Sequence, residues 1–142
     1  MSSPTSESSG SDVTTATSPF TLDVFETDDP YATVDGIDYS RSRIEKTFHG
    51  DLEATSHVEM LSVRGEADGA GYVAIETVRG SLQGRTGTFA LLHAGTMTAD
   101  GVWARWPISP GSGTGGLEGI HGEARIEIAP DGAHTLHLDY EL

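Results

Sequence analysis

Alternation of apolar and polar residues, broken by glycine and proline, is the feature that most limits how this chain can fold. It is clearest near the C-terminus, where apolar or small residues recur at every second position from Ile120 to Ile128 and from Leu136 to Leu142. A period of two places successive side chains on opposite faces of a strand, whereas a helix repeats every 3.6 residues. The pattern therefore predicts an all-β protein.

The segment Pro130-Asp131-Gly132 separates these two runs and predicts a tight hairpin. Proline presets the φ angle of a type I turn, and glycine suits the left-handed position that follows it. A three-residue loop here pairs Ile128 with His134. In that register all the large apolar side chains of both strands fall on one face, as a half-buried hairpin requires.

A second hairpin is predicted at Gln83-Gly84. If these residues form a two-residue loop, Glu76 becomes a diagonal neighbour of His93. The face that carries Glu76 is otherwise apolar: Tyr72, Ala74, Val78, Phe89 and Leu91. The opposite face is apolar as well: Val73, Ile75, Ala90 and Leu92. Such a hairpin lies between two packed layers, or one of its faces is a subunit interface.

The same alternation predicts further strands at 20–26, 39–49, 52–63 and 103–108, and signals for helices are nearly absent. Seven or eight antiparallel strands in one chain leave two exposed sheet edges unless the sheet closes on itself. We therefore expect a single closed antiparallel barrel of about eight strands, similar in architecture to the lipocalins.

The first 18 residues differ from the rest of the chain. They contain 11 Ser or Thr and almost no apolar side chains. Ordering them costs about 1–2 kcal/mol per residue with little burial in return. We expect residues 1–18 to form a disordered tail and residues 19–142 to form the barrel domain.

Charge excludes two classes of partner. The chain has 22 Asp and Glu against 8 Lys and Arg, a formal net charge of −14. Such an acidic protein repels a phosphate backbone and an anionic lipid surface, so we expect neither nucleic acid nor membrane as a partner. The chain has no cysteine, which excludes disulfides and thiolate nucleophiles. A secretory signal pattern is absent from the first residues, and we expect a cytoplasmic protein.

Glycines 111, 113 and 116 formally match the GxGxxG pattern of dinucleotide-binding proteins. In those proteins the pattern follows a strand and opens a helix, whereas here the alternating run that begins at Ile120 follows it. We interpret the segment as a corner at which backbones approach closely. A ligand contact through its backbone amides is the alternative.

Six histidines raise the question of a metal site, and their spacing argues against one. His134 and His137 are three residues apart on a strand, so they point to opposite faces. The chain has no His-x-His pair. We predict no metal site and no cofactor.

The position of Glu59 depends on the register between two strands. If the loop 64–70 sets pairs whose residue numbers sum to 135, Glu59 lies opposite Glu76. It then joins His57 and His93 in a cluster of carboxylates and imidazoles. A shift of one residue moves Glu59 to the other face and removes the cluster.

Glu76 is the main candidate for a functional group because it is a carboxylate in apolar surroundings. Burial raises the pKa of such a group, and a protonated or histidine-paired carboxylate acts as a general acid or base. In the alternative interpretation, Glu76 is hydrogen-bonded to Arg85, His93 or a backbone amide in a turn, and only specifies the packing of the barrel. The catalytic candidates are Glu76 and His93. The predicted ligand-binding residues are Glu59, Tyr72, Glu76, Arg85, Phe89, Leu91 and His93.

Several motifs together resemble a known family. They are Phe48 to Leu52, Gly71 to Glu76, Gly80 to Phe89, Leu92 to Thr96, Pro110 to Thr114, Leu117 to Gly119 and the closing His134 to Leu142. Over residues 19–142 the chain resembles the bacterial domain-of-unknown-function family 3224, whose fold is similar to the allene oxide cyclase barrel. The resemblance implies an eight-stranded antiparallel barrel with an axial cavity, and a homodimer. It implies no catalytic residues.

Two functions from different classes remain open at this point. The first is a binding module that holds a small hydrophobic or amphipathic molecule in the barrel. The second is an enzyme of the cyclase or isomerase type, in which Glu76 or His93 moves a proton. A filled barrel that serves as an assembly module is a third alternative.

Overall fold

The computed structural model describes residues 12–65 and 69–142. Its ten strands are β1 (Thr14–Thr27), β2 (Ala32–Val34), β3 (Ile37–Phe48), β4 (Leu52–Arg64), β5 (Ala70–Leu82), β6 (Arg85–Thr98), β7 (Gly101–Pro107), β8 (Thr114–Gly115), β9 (His121–Ile128) and β10 (His134–Glu141). Neither described range contains a helix. In that part of the chain, no helix is therefore long and apolar enough to cross a membrane.

Eight of the strands close into an antiparallel barrel. They follow the order β1-β10-β9-β7-β6-β5-β4-β3, and β1 pairs with both β10 and β3. The short strands β2 and β8 extend this sheet at β3 and β6. The predicted fold, a single closed barrel of about eight antiparallel strands, is confirmed.

Both predicted hairpin registers are confirmed. Ile128 pairs with His134 across the turn at 130–132, and Leu82 pairs with Arg85 across Gln83-Gly84. Gln83 and Gly84 have φ angles of 47° and 90°, which match the type I′ turn favoured by two-residue hairpins. The inward face of β5 and β6 is therefore the one that carries Glu76 and His93.

The apolar core fills one end of the barrel, which we call the closed end. Its buried side chains come from seven of the eight barrel strands, from Ile108 just after β7 and from the segment after β8. The largest are Phe20, Phe48, Leu52, Leu82, Phe89, Leu91, Leu117, Ile120, Leu138 and Tyr140. The rings of Phe20 and Phe48 lie 5.1 Å apart. Because buried side chains fill the closed end, it is a plug rather than a channel.

The glycine-rich segment seals the closed end. A Cβ atom on Gly113 would lie 2.0 Å from the carbonyl oxygen of Leu117, and one on Gly87 would lie 2.0 Å from that of Thr114. Both positions therefore require glycine for close backbone approach. This approach lets Leu117 and Ile120 fold over the core, which supports the interpretation of the segment as a structural corner.

The predicted boundary of the barrel at residue 19 is too late. β1 begins at Thr14, and residues 14–20 pair with β10. Ala16 and Ser18 are buried, and the Ser18 hydroxyl accepts a hydrogen bond of 2.8 Å from the backbone amide of Leu52. The low apolar content of this stretch misled the prediction. Backbone hydrogen bonds hold β1 in place, because it pairs with β10 on one side and with β3 on the other. Residues 1–11 of the predicted tail lie outside the described residues.

Candidate functional site

A buried cluster of four polar side chains crosses the middle of the barrel. Glu76 of β5 is 1% exposed, and its carboxylate meets a group from each of three other strands. Oε1 accepts hydrogen bonds from Lys46 Nζ of β3 at 3.2 Å and from His93 Nε2 of β6 at 2.8 Å. Oε2 accepts one from the hydroxyl of Ser56 in β4 at 2.6 Å. We call these four residues the polar layer.

Strand register explains why these four residues meet. Lys46 pairs directly with Ser56, and Glu76 lies opposite Val58 of β4 and Leu91 of β6. Ser56 and His93 are each two residues along from those partners, so they are diagonal neighbours of Glu76 on the same face. Closing the barrel turns this face inward and buries the whole cluster.

The polar layer keeps Glu76 ionised. Burial is the largest single influence on the pKa of Glu76 and raises it, but the His93 hydrogen bond and the positive charge of Lys46 act in the opposite direction. Together with the Ser56 hydrogen bond they lower the pKa of Glu76 to about 2. The expectation of a raised pKa was wrong, because the contacts with His93, Lys46 and Ser56 together outweigh the effect of burial. At neutral pH, Glu76 therefore holds no proton to donate.

Lys46 and Ser56 are site residues that the sequence reasoning missed. Lys46 is 6% exposed, and its ammonium group also lies 4.9 Å from the centre of the Phe20 ring. One signal was available. Lys46 is the only lysine in the chain, and it alternates in phase with the apolar residues Ile44 and Phe48.

An apolar cavity of about 330 Å³ occupies the open end of the barrel, opposite the plug. Most of its wall comes from the inward positions of β5, β6, β7 and β9, and includes Tyr72, Met97, Val102, Ala104, Trp106, Ile126 and Ile128. The Trp106 ring contacts the His93 ring edge to face, with centroids 6.3 Å apart. Trp106 thus connects the cavity to the polar layer.

Trp106 has an unsatisfied hydrogen-bond donor. Its Nε1 atom is buried and meets no acceptor among the residues that the structure describes. A buried N–H group without a partner costs about 1–3 kcal/mol. The cavity therefore lies beside a donor whose hydrogen bond is available to a ligand.

The structure separates the seven predicted ligand-binding residues into four groups. Tyr72 lines the cavity, and Glu76 and His93 belong to the polar layer. Phe89 and Leu91 face inward as expected but lie in the plug, each 1% exposed. Glu59 and Arg85 lie elsewhere.

Glu59 lies on the outside of the barrel because the register between β4 and β5 differs from the expected one. The paired residue numbers sum to 134, not 135, so Glu59 lies opposite Ile75 and Glu76 lies opposite Val58. The shift of one residue moves Glu59 to the outer face, and the predicted cluster of Glu59 with Glu76 and His93 was wrong. Arg85 is exposed beside the turn at Gln83, at the closed end of the barrel.

On the outer face, Glu59 joins a different cluster. Its Oε2 atom lies 2.5 Å from His57 Nε2, and its Oε1 atom accepts a hydrogen bond of 2.7 Å from Arg41. The hydrogen bond to Glu59 raises the pKa of His57. In the two described ranges, no three His, Asp or Glu side chains are arranged to hold a metal ion.

Comparison with known proteins places this barrel among similar ones. Residues 16–140 match the profile of a family described as proteins of unknown function, DUF3224. A crystal structure of a protein with unknown function from that family, from Shewanella oneidensis MR-1, is 39% identical and superposes with a TM-score of 0.83. The match covers 90% of this chain and 96% of that one. A search of curated proteins finds no match.

Proposed function

The chain belongs to the DUF3224 family of proteins of unknown function, and we propose that the open end of its barrel binds a small, mostly apolar molecule that carries one hydrogen-bond acceptor. The observation that carries this proposal is the cavity of about 330 Å³ beside the unpaired Nε1 of Trp106. Cavities of about this size, with an apolar wall and few polar groups, are typical of small-molecule sites.

The wall of the cavity supports an apolar ligand body. Tyr72 and Trp106 offer aromatic surfaces, and Met97, Ile126 and Ile128 offer flexible or branched aliphatic ones. Met97 and Ile128 are 46% and 64% exposed, which is unusual for inward positions of a barrel. A ligand that covers them removes apolar surface from water, at about 25 cal/mol per Å².

The unpaired N–H group of Trp106 is the reason to expect a hydrogen-bond acceptor on the ligand. Trp106 lines the cavity, and its buried Nε1 meets no acceptor among the described residues, so this donor can pair with an oxygen of the ligand. Among the described residues that line the cavity, Arg64 is the one charged residue, and it lies at the rim. A neutral carbonyl or ether oxygen therefore suits the interior better than a charged group, which loses its hydration there.

The alternative function, proton transfer by Glu76, is less well supported. A general acid needs a pKa near the working pH, whereas the pKa of Glu76 is about 2. Both of its carboxylate oxygens already accept hydrogen bonds from the polar layer. Glu76 therefore suits a structural role beneath the binding cavity better than a role in chemistry.

Two fluorescent probes test the proposal. Prodan is a small naphthalene with one ketone oxygen, and N-phenyl-1-naphthylamine is a similarly apolar probe without a carbonyl. We expect the barrel to bind both, with blue-shifted and enhanced emission. Trp106→Phe keeps the aromatic wall but removes the donor, so it should weaken prodan binding about 5- to 10-fold, the value of about one hydrogen bond. Binding of the second probe should change little.

Trp103→Phe is the matched control, because Trp103 is 54% exposed on the outer face of β7. It should leave both affinities unchanged. If neither probe binds the parent protein at micromolar concentration, the open end is not a binding cavity. If Trp106→Phe weakens both probes equally, the donor does not select an acceptor and that part of the proposal fails.

A further inference from the structure

The outer face of the barrel carries an apolar surface that borders the cavity. Six side chains of β4, β5, β6 and β7 form it, and we call them the outer patch: Leu61, Val63, Val73, Ile75, Leu92 and Trp103. Their exposed fractions run from 37% for Leu92 to 56% for Val73 and Ile75. None of the six lines the cavity except Val63, at its margin.

The outer patch is continuous across the strands. Leu61 pairs with Val73, and Ile75 pairs with Leu92, so these four side chains are direct neighbours on one face. Val63 pairs with Gly71, which has no side chain, and Gly71 leaves a depression between Val63 and Trp103. A groove of about 500 Å³ runs along this line and is bordered by Tyr39.

We propose that a second copy of this chain docks on the outer patch and forms a two-fold symmetric dimer. The apolar area of the outer patch is large enough for such a dimer interface. Six large side chains at about half exposure offer on the order of 500 Å² of apolar surface. One side of a standard protein interface has about 800 Å², of which a little more than half is apolar, or about 450 Å².

The charges around the outer patch also favour a second copy of the chain as the docking partner. With a net charge of −14, two copies repel each other over most of their surfaces. At the margins of the outer patch the charges balance, since Arg41 pairs with Glu59 at 2.7 Å and Arg105 pairs with Glu123 at 2.9 Å. A two-fold axis brings the same surface from each copy together, so the two copies meet at a face whose margins carry both signs of charge.

Analytical ultracentrifugation with two matched variants tests the dimer. The parent protein should sediment at twice the chain mass of 15.0 kDa at concentrations near 50 μM. Val73→Glu places a carboxylate in the centre of the patch and should shift the protein to the monomer, with an apparent dissociation constant raised at least 100-fold. Val13→Glu is the control: Val13 is 50% exposed just before β1, outside the patch, and its replacement adds the same charge.

A second variant and a spectroscopic measurement separate this result from misfolding. Leu92→Gln removes apolar area without adding charge and should also weaken the dimer, while circular dichroism shows an unchanged fold for both variants. Dilution of the parent should shift tryptophan emission to the red as Trp103 becomes exposed, and Trp103→Phe should abolish that shift. A monomeric parent at 50 μM overturns the proposal. A dimer that survives both Val73→Glu and Leu92→Gln overturns the assignment to this face.

Discussion

Replacing Lys46 by methionine should destabilise the barrel strongly. Methionine fills a similar volume, so the packing against Phe20 is largely kept, but the ammonium group 3.2 Å from Glu76 Oε1 is lost. Glu76 is then a carboxylate that is 1% exposed and has lost its lysine partner. Breaking a buried ion pair from one side costs about 3–5 kcal/mol, and we expect Lys46→Met to lower the free energy of unfolding by that amount.

The pH dependence of stability gives a second estimate of the same interaction. In the unfolded chain the pKa of a glutamate is 4.5, and in the folded barrel the pKa of Glu76 is about 2. The difference corresponds to about 3 kcal/mol of stability. Because the folded pKa is depressed, this contribution is fully present above pH 4.5 and is lost as the pH falls towards 2. Removing Lys46 raises the folded pKa and reduces this acid-dependent part.

Urea unfolding followed by circular dichroism at pH 7 and pH 3 measures both effects. Arg105→Met is the control, because it removes a cation from an exposed pair with Glu123 and should cost less than about 1 kcal/mol. The double variant Lys46→Met/Glu76→Gln should be more stable than Lys46→Met, since no buried charge is left unpaired. If Lys46→Met costs no more than Arg105→Met, the polar layer does not stabilise the barrel as argued here.

Three further changes follow from the described residues. Deleting residues 1–18 removes the β1 segment that pairs with β10 and should lower the melting temperature by about 10 °C or more, whereas deleting 1–11 leaves that strand intact; equal melting temperatures for the two would contradict the assignment of β1. Gly132 has a φ of 91°, so Gly132→Val should cost about 1–2 kcal/mol in urea unfolding, and a variant as stable as the parent would refute this turn geometry. NMR titration should give His57 a pKa above its usual 6.5, and Glu59→Gln should lower it; no change would show that the two side chains do not pair in solution.

Much of the fold could be predicted from local features of the sequence. Alternation identified the barrel strands, and the turn residues Gln83-Gly84 and Pro130 to Gly132 set the registers of two hairpins, because short loops leave only one pairing that buries the apolar face. The register at Gln83-Gly84 was enough to place Glu76 and His93 together on one face of the hairpin. The same reasoning identified the apolar outer face of β5 and β6.

Longer-range features depended on tertiary structure. The loop between β4 and β5 does not determine its own register, and the one-residue difference moved Glu59 to the outside. Lys46 lies 30 residues from Glu76 along the chain and reaches it only because β3 and β4 pair and the barrel closes around them. The charge of Lys46 is one of the causes that together lower the pKa of Glu76.

The sequence by itself determined the all-β class, the two tight hairpins and the inward face of β5 and β6, because each depends on residues that are neighbours in the chain. Barrel closure decided the rest. It ordered β1 between β10 and β3, despite the low apolar content of residues 14–18, because a closed sheet satisfies the backbone hydrogen bonds of both of its edge strands. It also separated the filled closed end from the open cavity beside Trp106, since only the packed barrel shows which inward positions touch one another.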